Sequence, residues 1–300
     1  MRRKHMALMG LAIVGMVAIG TFTYLVSANI VELDEEPQLQ LVTEKTPTDS
    51  LSILLVGDTG GLPIYPFVTY AQKKVAKAMT SIAAKKKIHS VINVGDNIYF
   101  TGVSDEYDSR FKSSFEDVYN TDALDIPWYM IAGNHDHFGN VTAQVVYTKH
   151  SKKWHFPDLY YKVTFHMKNA TVDVLMLDTI VLCGNTADIE NGDFFDLIWN
   201  KSHDPEHIKL PGRDNHTIHH IVSGAASRSD HSKKHINTVA KENLIFHYPT
   251  SWNPFSQLGF SNGGFALLDI NPYNAQITFF NGKGNEKHRA QIARRTSKSF

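Results

Sequence analysis

The sequence predicts an α/β layered fold. Short apolar runs with strand character alternate with apolar residues at helical spacing, and three of those runs end in glycine followed at once by an acid or amide. Alternation of this kind belongs to sheets covered by helices. Glycine and polar side chains at strand ends are where open α/β sheets build their sites.

Taken in order, the chain starts with Arg2, Arg3 and Lys4, then runs uncharged from Met6 to Ala28. A basic start before an apolar run is a secretory signal. Val26 and Ala28 suit a cleavage site before Asn29, while the length of the run also suits a bilayer span. Residues 1–28 are therefore a signal peptide or a retained signal anchor. Val31–Asp49 is polar, acidic and Pro-containing, so residues 29–50 read as a linker and 51–300 as the folded domain. Leu51–Val56 reads as a buried strand. Val75, Met79 and Ile82 mark a helix, and Ser90–Val94 a second strand. Phe111, Phe115 and Val118 mark a second helix; Trp128–Ala132 and Val172–Leu177 are further strands. After Asp178 the rhythm stops, and Cys183–Asn215 shows no convincing strand. Pattern returns at Ile218–Val222, Gly264–Ile270 and Ile277–Phe280, the last two reading as antiparallel strands closing a sheet.

The bulk composition is that of a globular protein, 42% hydrophobic and 20% charged, with Lys+Arg and Asp+Glu equal at 30 each. Such balance offers no nucleic-acid-binding stripe. Four N-x-[ST] sequons, at Asn140, Asn169, Asn200 and Asn215, agree with passage through the secretory pathway as glycosylation sites. The lone cysteine, Cys183, is either a pairing partner left over or an inert buried thiol.

The chemistry lies in three motifs: Gly57-Asp58-Thr59-Gly60, Gly95-Asp96-Asn97-Ile98-Tyr99 and Gly133-Asn134-His135-Asp136. Asp58, Asp96, Tyr99 and Asn134 offer two carboxylates, a phenolate and an amide oxygen. These are mostly hard donors, suited to Fe(III) with a second divalent ion. Asp96 is the natural bridge. Two metals about 3.5–4 Å apart can clamp a phosphoryl group and activate water for in-line attack. His135 is placed to protonate the leaving oxygen or to hydrogen-bond the phosphate.

The order of these motifs resembles the calcineurin-like metallophosphoesterases, and Tyr99 narrows the likeness to purple acid phosphatases. The flanks narrow it further to the tartrate-resistant animal type. They include Asn93-Val94-Gly95, Gly139-Asn140-Val141-Thr142, Leu177-Asp178-Thr179, Leu182-Cys183-Gly184-Asn185, Val222-Ser223-Gly224-Ala225 and Phe246-His247-Tyr248. The resemblance implies a layered β-sandwich flanked by helices. It also implies acid phosphatase activity on phosphate monoesters or phosphoproteins in a secreted or lysosomal/endosomal protein. By the same likeness Asp58 and Tyr99 bind Fe(III), Asp96 bridges, Asn134 binds the second ion (Fe or Zn) and His135 assists phosphate. A membrane partner enters only if the N-terminal segment is retained.

The chain departs from that pattern in its second half. The family's Gly-His-Tyr-Pro and Gly-His-x-His segments, which supply three further ligands, are not found in order. The expected partner of Cys183 is missing with them, and the junction falls near Pro211-Gly212-Arg213-Asp214. Phe246-His247-Tyr248-Pro249 imitates the first motif but sits where the family has a late, non-ligand segment. His216, His219 and His220 could place two imidazoles on one face of a strand. The sequence thus carries two expectations: a dinuclear acid phosphatase with its second half truncated, or a catalytically impaired relative or splice form acting as a binding protein.

Overall fold

The computed structural model describes residues 39–182, 206–211, 217–229, 240, 242–248, 253 and 255–294. Its first element corrects the linker reading: Gln40–Lys45 is a strand, β1, paired in parallel with Tyr160–His166. β1 lies at the edge of its sheet and turns only Val42 and Glu44 inward, so a polar composition was no bar to a strand.

Leu51–Val56 forms β2, buried on both faces as its continuous apolar run requires. The helix α1 (Tyr70–Ala83) buries Ala71, Gln72, Val75, Ala76, Ala78 and Met79, and a capping box between Thr69 and Gln72 starts it. β3 (Ser90–Asn93) follows. The expected second helix is a single π-helical segment, Phe111–Glu116, which presents Phe111 and Phe115 to Trp128 and Trp154. Then come β4 (Trp128–Met130), α2 (Asn134–His137), α3 (Val141–Tyr147), β5 (Trp154–His155), β6 (Tyr160–His166), β7 (Thr171–Leu177) and α4 (Thr179–Leu182). The later strands are β8 (Glu206–Pro211), β9 (Thr217–Val222), β10 (Leu244–His247), β11 (Gly264–Ile270), β12 (Asn274–Asn281) and β13 (Glu286–Ala293).

β8 falls inside Cys183–Asn215, where no strand was expected. It pairs antiparallel with both β9 and β10 in a three-stranded sheet. The main sheet has the order β13-β12-β11-β2-β3-β4-β5, parallel from β2 to β5 and antiparallel from β2 through β11 to β13. The closing antiparallel strands are therefore those the sequence pattern indicated. Val172–Leu177 is a strand, but in the second sheet, β1-β6-β7. Tyr161, Val163, Phe165 and Met176 of that sheet share one core with Ile53, Val91 and Trp128 of the main sheet, giving the layered sandwich. The Tyr161 hydroxyl donates to the Met130 carbonyl at 2.7 Å and ties the layers where the third motif begins.

No helix among the described residues is long and apolar enough to cross a membrane. The N-terminal apolar run, Cys183, Asn200, Asn215, His216 and residues 212–214 of the expected junction lie outside the described residues. Asn140 and Asn169 are exposed.

Candidate functional site

β2, β3 and β4 are adjacent and parallel, so the turns that follow them leave the same end of the sheet. Those turns carry the three motifs. Asp58 follows β2 and its backbone N–H donates to Gly95 O at 3.0 Å, joining the first turn to the second. Asp58 and Asp96 both adopt left-handed backbone, with φ of 55° and 52°. This conformation is unfavourable for a residue with a Cβ and marks a constrained site. A methyl on Gly133 would lie 2.3 Å from Asp96 Oδ1, so only glycine lets the third turn close on the second.

The outcome is a tight carboxyl–phenol cluster. Tyr99 OH lies 2.5 Å from Asp58 Oδ1 and 2.8 Å from Asp96 Oδ2. Asp58 Oδ2 accepts from the Ala225 N–H at 2.7 Å, and Asp96 Oδ1 accepts from the His135 N–H at 3.1 Å. A phenol has one proton, so it donates to one of the two carboxyl oxygens at a time. Burial first, then the neighbouring carboxyl, pushes Asp58 up to about 6. Burial, then Asp136, pushes Asp96 up to about 6. Burial and both carboxyls hold the Tyr99 phenol well above its usual range.

His135 is 2% exposed; its Nδ1 is 2.7 Å from the Phe100 carbonyl and its ring packs edge-on to Tyr99. The Nδ1–H therefore donates to that carbonyl, leaving Nε2 as the acceptor. Burial lowers its pKa to about 4, which keeps the ring neutral in mild acid. Neutral imidazole suits the hydrogen-bonding role expected of His135 better than proton donation. Asn134 opens α2, half-buried, beside these groups. Asp136 is structural: its carboxylate accepts from the backbone of Asn97, Ile98 and Gly133 and from Gln144.

A fourth segment, which motif reading did not assign to the site, completes it. Ser223–Ser229 follows β9, and its N–H groups at Ala226 and Ser227 donate to the carbonyls of Gly57 and Asp58. It delivers Arg228, 1% exposed, with the guanidinium carbon 3.7 Å above the Tyr99 ring and 4.1 Å from that of Phe100. The only signal was the family-like Val222-Ser223-Gly224-Ala225, which points to the segment but not to Arg228.

Among the described residues, no three His, Cys, Asp or Glu side chains group together as a metal site. His219 on β9 and His247 on β10 add no such group to Asp58 and Asp96. The described donors all lie on one half of the expected centre. By themselves the described residues supply only part of a dinuclear metal centre.

Residues 51–272 match the calcineurin-like phosphoesterase family. The chain belongs to that family. It is 31% identical to tartrate-resistant acid phosphatase type 5 from Sus scrofa, with 84% of this chain and 90% of the relative covered. The Homo sapiens protein of the same name is 30% identical, over 83% of this chain and 92% of the relative. Purple acid phosphatase 4 from Arabidopsis thaliana is 34% identical over 41% of this chain and 36% of its own length. The pig alignment runs over 313 positions, more than 84% of a 300-residue chain can fill, so the relative has positions without counterpart here. Among solved structures, the Plasmodium protein described as "GAP50 the anchor in the inner membrane complex" shares the fold, with a TM-score of 0.59 at 17% identity over 83% of this chain and 90% of that one.

Proposed function

We propose that this member of the phosphoesterase family is a catalytically impaired acid phosphatase relative of the secretory route that acts as a binding protein. The observation that carries the reading is the closed Asp58–Tyr99–Asp96 cluster, with no His, Cys or further Asp or Glu side chain grouped with the two carboxyls among the described residues. Phosphate monoester hydrolysis in the family needs two cations to neutralise the phosphoryl group and to bring bound water toward a pKa of about 7. Here the described residues place two carboxyls and a phenol in contact at that position. The pig relative has positions without counterpart in this chain, which agrees with a shortened second half. A phosphoesterase-type scaffold does not by itself demand hydrolysis, since a protein of this fold is described as an anchor.

The competing reading is the dinuclear iron acid phosphatase, supported by identity of 31% to an acid phosphatase and by the convergence of Asp58, Asp96 and Tyr99. One experiment separates them: elemental analysis of protein secreted from a eukaryotic host, with aryl phosphate hydrolysis at about pH 5. Absence of stoichiometric metal and of turnover supports the impaired reading. Two metals per chain, one of them iron, with turnover abolished in Asp96→Asn, overturns it.

A further inference from the structure

We infer that Arg228 is a built-in counter-ion for the Asp58–Tyr99–Asp96 cluster, a cation of the chain's own that supplies the positive charge a bound metal would bring and disfavours metal binding there. The inference rests on the impaired reading above and explains how the fold tolerates carboxyls at an incomplete metal site.

Arg228 is among the most buried large side chains of the protein. Its hydrogen bonding is poor: Nη2 reaches the Gly61 carbonyl at 3.4 Å, while Nε and Nη1 are buried without a partner among the described residues. A guanidinium in that condition is very unfavourable unless nearby opposite charge offsets its desolvation. The negative charge closest to it in the fold is that of Asp58 and Asp96, whose oxygens both meet the hydroxyl of the Tyr99 ring over which the guanidinium lies. The faces of Tyr99 and Phe100 hold the plane by cation–π contact. The position is fixed by backbone. Ala225 N–H binds the Asp58 carboxylate, Ala226 and Ser227 N–H bind Gly57 and Asp58 carbonyls, and Ser227 O accepts from the Thr69 hydroxyl at 2.6 Å. Arg228 is thus anchored by the same residue whose charge it balances. A fixed guanidinium over the phenol repels any divalent ion approaching the same oxygens.

The test uses full-length protein treated with chelator, and Zn²⁺ as the probe. Arg228→Met keeps most of the volume and removes the charge; Arg228→Lys keeps the charge. Wild type and Arg228→Lys should show no change in melting temperature with Zn²⁺ or chelator. Arg228→Met should melt lower, recover with Zn²⁺, and bind it at least tenfold more tightly by calorimetry, a gain abolished by adding Asp96→Asn. A folded Arg228→Met that ignores Zn²⁺ overturns the inference and leaves Arg228 a packing residue. Should Arg228→Met fail to fold, Asp58→Asn combined with Arg228→Met decides: recovery of folding in the double variant supports charge compensation, and continued failure overturns it. Two tightly held metals in wild type overturn both this inference and the impaired reading, whereas a metal-free, Zn²⁺-insensitive wild type with an insensitive Arg228→Met overturns this inference alone.

Discussion

His137 Nε2 lies 2.6 Å from Asp178 Oδ2, and the carboxylate is fully buried. This contact joins the turn after β4, which carries Asn134 and His135, to the end of β7 in the other sheet. The second oxygen, Asp178 Oδ1, accepts from the Ile180 and Val181 N–H groups at 2.9 and 3.1 Å and so caps α4. One side chain thus fixes both the third motif and the exit from the second sheet.

Asp178→Ala should therefore lower stability by about 2–4 kcal/mol, since it strands a buried imidazole and two N–H donors. Urea unfolding followed by tryptophan fluorescence measures it. A loss under about 0.5 kcal/mol, the scale of an ordinary surface change, would show that the pair does not hold the layers together.

Gly133→Ala tests the closure of the turns. The added Cβ would meet Asp96 Oδ1 at 2.3 Å and the Asp96 backbone nitrogen at 2.4 Å, and backbone cannot step aside as a flexible side chain can. A loss of about 3 kcal/mol or more is expected, within the range of severe core substitutions. Thermal unfolding close to wild type would mean that the second and third turns are not locked together as described.

The sequence already indicated why these turns meet. β2, β3 and β4 announce themselves as apolar runs ending in glycine, because buried parallel strands need apolar side chains on both faces. The polar residues next to those glycines, Asp58, Asp96 and Asn134, were legible for the same reason. β1 was not: at a sheet edge it buries only Val42 and Glu44, too little for a pattern. β8 escaped because His207 and Lys209 alternate with Ile208 and Leu210 inside an otherwise polar stretch. Arg228 escaped on different grounds. A lone arginine in Ala-Ser-Arg-Ser reads as surface, and only the docking of that loop on Gly57 and Asp58 buries it.

Tyr99 gives a spectroscopic prediction. The resemblance to purple acid phosphatases implies an Fe(III)–Tyr99 bond, which would colour the protein. With Tyr99 OH bonded to Asp58 and Asp96, the concentrated protein should show no visible band, and Tyr99→Phe should leave the visible spectrum unchanged. The same variant should lose about 1–3 kcal/mol of stability, because both carboxyls lose a buried partner. A visible band in wild type that vanishes in Tyr99→Phe would reinstate the iron centre.

The last prediction concerns pH. Asp58 and Asp96 bind protons more tightly folded, at about 6, than their ordinary 3.8. The stability they contribute is fully present below 3.8 and is lost as pH rises through about 6, because in that window the folded state binds more protons than the unfolded one. His135 acts in the opposite sense. Lowered to about 4 from 6.5, it contributes stability above 6.5 that is lost as pH falls through about 4. Two carboxyls against one imidazole leave the metal-free site favouring mild acid. Asp58→Asn removes one carboxyl, so the stability of wild type relative to that variant should improve by on the order of 2 kcal/mol between about pH 7 and about pH 4.5. Parallel urea titrations at the two pH values measure the difference. A gap that stays constant, or that widens toward neutral pH, would mean that the carboxyls are ionised in the folded protein.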